Sequence, residues 1–246
     1  GAGVSIFVID TGCRTTHDEF TQKLTGSVKS YWSAYAPDGT TRLNGGTFNP
    51  PADNDGLSHG THCAGIAAGA SVGVARGADL YCIKVMSDTG SGVSSDALAG
   101  MDVVNSWYQA QFKATGVYPP TVVSLSLAAS CKDTTAACQN GALANAVSAL
   151  AKAGIVVTVA AGNVGADVLK AMGVTTPAVA GSNEGVISIG ATDITDTMTS
   201  WSNYGTPVTM LAPGSQVWSS VPSTTSSYDF KSGTSMATPH VAGAAA

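Results

Sequence analysis

Ser235 stands between a glycine-led turn and an apolar run, in Gly233-Thr234-Ser235-Met236-Ala237-Thr238-Pro239-His240-Val241-Ala242-Gly243. A serine hydroxyl is a poor nucleophile near neutral pH. It needs a base to take its proton and a third group to hold that base in one tautomer. Two other segments carry groups of those types. Val8-Ile9-Asp10-Thr11-Gly12 ends an apolar run in a carboxylate, and His59-Gly60-Thr61-His62-Cys63-Ala64-Gly65 opens an apolar run with an imidazole. Asp, His and Ser together can perform acyl transfer: the serine attacks a carbonyl, the histidine shuttles the proton, and the aspartate orients the ring. Residue types alone leave His17, His62 and His240 as rival bases. They also leave a second use of Asp10, His59 and His62, as ligands of a metal hydrolase, although no glutamate stands between the histidines as in His-Glu-X-X-His.

Such residues must be carried by rigid elements, and the apolar pattern supplies them. Val4 to Ile9 reads as a buried strand, His59 to Ala70 as a helix, Asp79 to Met86 as a strand and Ser94 to Phe112 as a helix. Thr121 to Leu127 reads as a strand, Ala142 to Lys152 as a helix and Ile155 to Ala161 as a strand. Shorter strands at Val186 to Ile189 and Pro207 to Leu211 precede the serine helix. Continuous runs such as Ile155-Val156-Val157-Thr158-Val159 suit strands covered on both faces. The alternation predicts an α/β fold, a three-layer sandwich with a largely parallel, roughly seven-stranded sheet and helices on both faces. Ligands gather at the carboxyl ends of such strands, where Asp10 and Asn163 fall. Residues 35–57 and 163–185 read as surface insertions.

Of the 246 residues, 44% are apolar and only 11% charged, so a core is available and the surface must be rich in small polar residues. A net charge of -5 without a basic cluster argues against nucleic acid or an anionic membrane as partner. No apolar run reaches the roughly 20 residues of a membrane span. The five cysteines cannot all pair within the chain. Cys131 and Cys138 bracket a short polar stretch and are the expected bridge. Cys63 is expected as a buried thiol, while Cys13 and Cys82 are either a second bridge or two more thiols. Any bridge implies an oxidising compartment.

The three segments, in the chain order Asp, His, Ser, resemble those of the subtilisin-like serine proteases, the subtilases, and most nearly the proteinase K group. The resemblance runs from Gly3 to Gly243. It implies a secreted, monomeric endopeptidase working through an acyl-enzyme, with Asp10, His59 and Ser235 as the triad and His62 and His240 as packing residues. It also implies protein or peptide substrates, no cofactor for the chemistry, and a precursor with a signal peptide and propeptide. Asn163, closing Val159-Ala160-Ala161-Gly162-Asn163, falls where the family has its oxyanion-hole asparagine. Gly90-Ser91-Gly92 resembles the family's substrate-binding edge strand, and Ser126-Leu127-Ala128 its second one. Here Ala128 and Ala129 replace glycines, which would narrow the first specificity pocket. Val164 offers no carboxylate for a basic substrate residue, so an apolar or aromatic one is expected.

The resemblance leaves a structural calcium ion open, with its ligands unassigned. Thr209 stands where the strong proteinase K-type site has an aspartate, while Glu184 and Val186 lie near the other positions. Asp53, Asn54 and Asp55 form an acidic cluster that could be a calcium loop or a solvated turn touching substrate. Because Gly1 runs straight into the first strand and Ala246 closely follows Ser235, residues 1–246 read as one catalytic domain truncated at both ends. The alternative to an enzyme is a catalytically silent peptide-binding module of the same fold.

Overall fold

Ser5–Asp10, which is β1, alternates its side chains between two cores, and this alternation sets the layers. Phe7 and Ile9 point into one cluster, with Ile83, Val123, Leu125, Val157 and Val159 from neighbouring strands. Ile6 and Val8 point into the other, with Leu80, Cys82 and Val122. Successive strand side chains face opposite ways, so a continuous apolar run is what a sheet covered on both faces requires.

These features belong to a computed structural model that describes residues 1–131, 137–138, 141–170 and 174–246. After β1 come the short helix α1 (Asp18–Thr21), β2 (Val28–Tyr35), β3 (Arg42–Phe48), α2 (His59–Ala68), β4 (Asp79–Lys84), α3 (Ser94–Thr115), β5 (Thr121–Leu125) and β6 (Ala129–Cys131). There follow α4 (Ala142–Lys152), β7 (Val156–Ala160), β8 (Val174–Thr176), β9 (Val186–Thr192), β10 (Val208–Pro213), β11 (Val217–Ser220), β12 (Tyr228–Lys231) and α5 (Thr234–Ala245). The main sheet has eight strands in the order β10-β9-β7-β5-β1-β4-β2-β3. Every pairing is parallel except β2 with β3, so seven parallel strands carry one antiparallel edge strand. Helices α3 and α4 cover the Phe7 face through Met101, Val104, Leu143 and Val147. Helices α2 and α5 cover the other through Ile66, Ala67, Met236 and Ala242.

The chain builds outward on the β4 side of β1 first and then on the β5 side. The loops leaving β1 and β5 therefore part and open a crevice at their carboxyl ends. Both expected insertions turn out to be structured. The first contains the edge strand β3, and the second contains β8 and a buried 3-10 turn at Ala178–Ser182. Small residues such as Ala178, Ala180 and Gly181 pack there without any periodic pattern that would announce burial. Strands β2, β11 and β12 were likewise not foreseen.

Both bridges form: Cys131 to Cys138, and Cys13 to Cys82, which resolves the open alternative in favour of a second disulfide. Cys63 is the buried free thiol. The two bridges span 69 and 7 residues. Loop-closure entropy assigns them roughly 4 and 2 kcal/mol respectively. In urea unfolding, replacing Cys13 and Cys82 together by alanine should therefore cost about 2 kcal/mol more than replacing Cys131 and Cys138.

Candidate active site

Asp10 ends β1 with no exposure to solvent. Its Oδ1 accepts the Thr11 N–H at 2.7 Å and meets His59 Nδ1 at 2.7 Å. A proton on Nδ1 makes this a charge-assisted bond and leaves Nε2 as the basic nitrogen. Burial disfavours a charged imidazole at His59, but the Asp10 carboxylate, helped by Cys63, outweighs it and holds the pKa well above 6.5.

His59 is the first residue of α2, and the approach of that helix to β1 depends on two glycines. A Cβ on Gly60 would lie 2.0 Å from the carbonyl oxygen of Gly12. Gly12 itself has φ of 99°, and a Cβ there would lie 2.5 Å from the Asn54 carbonyl oxygen. In the acidic cluster Asp53 is exposed, while Asp55 is turned inward. Asp55 is buried and accepts four hydrogen bonds: Thr11 Oγ1 at 2.7 Å, Ser58 N at 3.0 Å, Thr61 N at 2.8 Å and Thr61 Oγ1 at 2.6 Å. It thus caps the helix that begins with His59. Burial raises its pKa against the pull of these donors. Asp53 faces Arg14 at 3.4 Å, and Asn54 Oδ1 accepts the Cys13 N–H.

Ser235 lies in the first turn of α5, and Pro239 determines its surroundings. Proline has no N–H to give to the carbonyl four residues earlier, which is that of Ser235. That oxygen instead accepts Ser126 Oγ at 2.8 Å and the Cys63 thiol at 3.4 Å. Ser235 Oγ donates to the Ser126 carbonyl at 3.2 Å. Among the described residues no hydrogen bond joins Ser235 to His59, so a turn of the serine side chain is needed to complete the set.

Asn163 follows β7. Its Oδ1 accepts both the N–H and the hydroxyl of Thr234, at 2.8 and 2.9 Å, which fixes the amide and leaves Nδ2 to donate. An ideal Cβ on Gly233 would lie 3.5 Å from that Nδ2 and 3.6 Å from Ser235 N. Asn163 Nδ2 and Ser235 N thus both lie close to Gly233, at the start of the helix that carries Ser235, a setting for developing negative charge.

Gly90, Ser91 and Gly92 form an unpaired segment rather than a regular edge strand. Ser91 is exposed, but its backbone closes on Ser87, its carbonyl accepting Ser87 N and Oγ and its N–H donating to Ser87 Oγ. With Leu127, Ala128 and Ala129 they line a cavity of about 340 Å³, closed by Met86, Val93 and Leu143. Ser126 is the buried link from this cavity to Ser235.

Among the described residues, the groups weighed for a metal are engaged with protein partners. His62 Nε2 lies 3.1 Å from the carbonyls of Val217 and Asp229, so it braces the β11–β12 hairpin and does not join Asp10. The cluster that does form, Asp10, His59 and Cys63, has its Nδ1 and Oδ1 committed to each other, and burial raises the thiol pKa. Thr209 closes on Ser188, donating to its carbonyl and accepting its N–H, and offers no carboxylate for calcium. His240 is a packing residue bonded to the Met236 carbonyl.

The sequence profile of the Subtilase family matches residues 1–246. The chain belongs to the subtilase family. It is 37% identical over 246 residues to a cuticle-degrading serine protease of Arthrobotrys oligospora, covering all of this chain and 51% of that one. It is 35% identical over 243 residues to Proteinase T of Parengyodontium album, covering 99% and 70%. The crystal structure of a cold adapted subtilisin-like serine proteinase superposes with a TM-score of 0.73 at 33% identity, covering 98% of this chain and 73% of that one. This subtilase chain spans about half the length of the cuticle-degrading relatives it matches.

Sequence reasoning missed Thr11, Lys84, Thr234 and Asn203 as parts of the site, and it singled out Asp55 for a different role. Asn203 holds the loop after β7, accepting Val164 N and Ala166 N and donating to the Ala161 carbonyl. Only the adjacency of Thr11 and Thr234 to Asp10 and Ser235 could have signalled a role.

Burial, against two backbone carbonyls, lowers the His62 pKa from 6.5 to about 4. The unfolded chain gains this proton near pH 6.5 and the folded chain only near pH 4, so stability falls as pH drops through that window. The loss amounts to about 3 kcal/mol. Urea titrations at pH 7 and pH 4 should show His62→Gln losing less stability between these pH values than the parent.

Proposed function

We propose that the chain is the catalytic domain, over residues 1–246, of a secreted subtilisin-like serine endopeptidase. The observation that carries this reading is the bond that locks His59, at the start of its helix, to Asp10, with Ser235 N and Asn163 Nδ2 both close to Gly233 at the start of the serine helix. Ser235 turns from the Ser126 carbonyl to His59 Nε2, gives up its proton there and attacks the peptide carbonyl. Asn163 Nδ2 and Ser235 N stabilise the oxyanion. His59 then protonates the leaving amine, Asp10 stays ionised throughout, and water releases the acyl group by the same steps.

The substrates are proteins or peptides. An extended chain would align along Gly90–Gly92 and Ser126–Ala128, as an added strand does, and place an apolar side chain in the cavity between them. This chemistry asks for no cofactor, and Thr209 argues against a strong calcium site of the proteinase K type. Two disulfides suit an extracellular protein. A propeptide in the precursor, a monomeric state and no nucleic-acid or membrane partner complete the reading; no described helix is long and apolar enough to cross a membrane. The serine's bond to Ser126 favours a second reading, a silent peptide-binding module.

A fluorophosphonate probe separates the two. It should form an adduct on Ser235 in the parent and none in Ser235→Ala; a folded parent that stays unlabelled would establish the silent module. Asn163→Ala should lower kcat by roughly 10²- to 10³-fold with KM little changed, the magnitude seen when a subtilisin loses this donor. Because Asp10 raises the His59 pKa, the acid limb of kcat/KM should lie above pH 6.5, measured with a small peptide amide.

A further inference from the structure

We propose that Thr11 is a positioning residue for the reaction, its hydroxyl serving as the joint that sets the Asp10 carboxylate against the His59 ring. This rests on the reading of Asp10 and His59 as the orienting acid and the base. Thr11 is fully buried and each of its polar groups is engaged. Its N–H donates to Asp10 Oδ1, the same oxygen that holds His59. Its carbonyl accepts the buried Lys84 ammonium at 2.6 Å, and Lys84 also holds Asp88 at 2.6 Å. Its hydroxyl accepts the Gly60 N–H at 2.8 Å, immediately after His59, and donates to Asp55 Oδ1 at 2.7 Å.

A hydroxyl has one proton to give. With Gly60 donating to Thr11, that proton goes to Asp55, which in turn holds the N–H groups of Ser58 and Thr61 on either side of His59. One side chain therefore ties the end of β1 to three backbone N–H groups of the first turn of α2, directly and through Asp55. The turn it sits in is tethered a second time by the Cys13–Cys82 bridge, which returns the chain to β4. A base displaced by a fraction of an ångström loses much of its rate, so a joint at this place acts on turnover more than on binding.

Thr11→Val keeps the shape, removes both hydroxyl bonds and leaves Asp10 and Cys63 in place, while Asp55 loses one of its four donors. Asp10 and Cys63 touch the His59 ring; of the other titratable groups around it, Asp55 and Lys84 bond to Thr11, Lys231 bonds to the Ser58 hydroxyl, and His62 stands three residues along the same helix. The first readout is independent of hydrolysis: the Nδ1 proton of His59 and the titration of its ring, followed by NMR. In folded Thr11→Val the low-field Nδ1 signal should weaken or move upfield and the ring should titrate at lower pH. Thr11→Ser should restore both. The second readout is kinetic: kcat should fall about 10-fold or more with KM within about twofold. In an Asp10→Asn background, Thr11→Val should cause little further loss, because residues acting as a unit are not additive.

Unchanged His59 signals in folded Thr11→Val, or a full additive loss in the Asp10→Asn background, would overturn the assignment. Should the valine variant not fold, Thr11→Ala is read by the same signals. An inactive parent with the expected NMR shifts would defeat the protease reading while sustaining the joint.

Discussion

A carboxylate without access to water at the end of a central strand is the constraint on which this site depends. Burying Asp10 is costly unless partners meet its charge. The Thr11 N–H and His59 supply them at one oxygen, while the ammonium of Lys84 holds the same turn from beneath. Among the described residues its second oxygen, Oδ2, has no hydrogen-bond partner. The imidazole is thereby bound tightly, its tautomer chosen and its basic nitrogen left free.

The opposite wall follows from a different deficiency. Pro239 deprives the Ser235 carbonyl of its helical partner, and the vacancy draws in Ser126 and Cys63. The bond from Ser126 brings the segment after β5 against the nucleophile. The Cys63 contact joins the first turn of α5 to α2, one turn below His59. The Cys63 thiol is buried, with its pKa raised by that burial, and it packs between the two helices while contacting both His59 and the Ser235 carbonyl. Strand ends and helix starts thus meet at the crevice where the chain switches from one side of β1 to the other.

Much of this was legible in the residues. The apolar runs located β1, β5 and β7, and Ala142 to Lys152 was delimited as a helix to the residue. Asp10, His59, Ser235 and Asn163 were all singled out, and the structure gathers them at one end of the sheet. The edges were not legible. Strand β3, Arg-Leu-Asn-Gly-Gly-Thr-Phe, has little burial and no clean alternation, so its sequence reads as loop. The cluster Asp53-Asn54-Asp55 read as an exposed acidic turn because residue type cannot show that four donors await one carboxylate. Cys13 and Cys82 lie far apart in sequence, and only the parallel pairing of β1 with β4 brings them together.

The layered α/β architecture and the identities of the chemical groups were already present in the order of the residues. Apolar periodicity is a local property, and so is the adjacency of a reactive residue to a strand end or helix start. Tertiary structure alone decided which histidine meets Asp10, which face Asn163 presents, which cysteines pair, and that Thr11 and Asp55 brace the pair. These outcomes depend on distances between segments tens to hundreds of residues apart. Such distances are set by how the strands are ordered and the helices packed, and no local pattern encodes them.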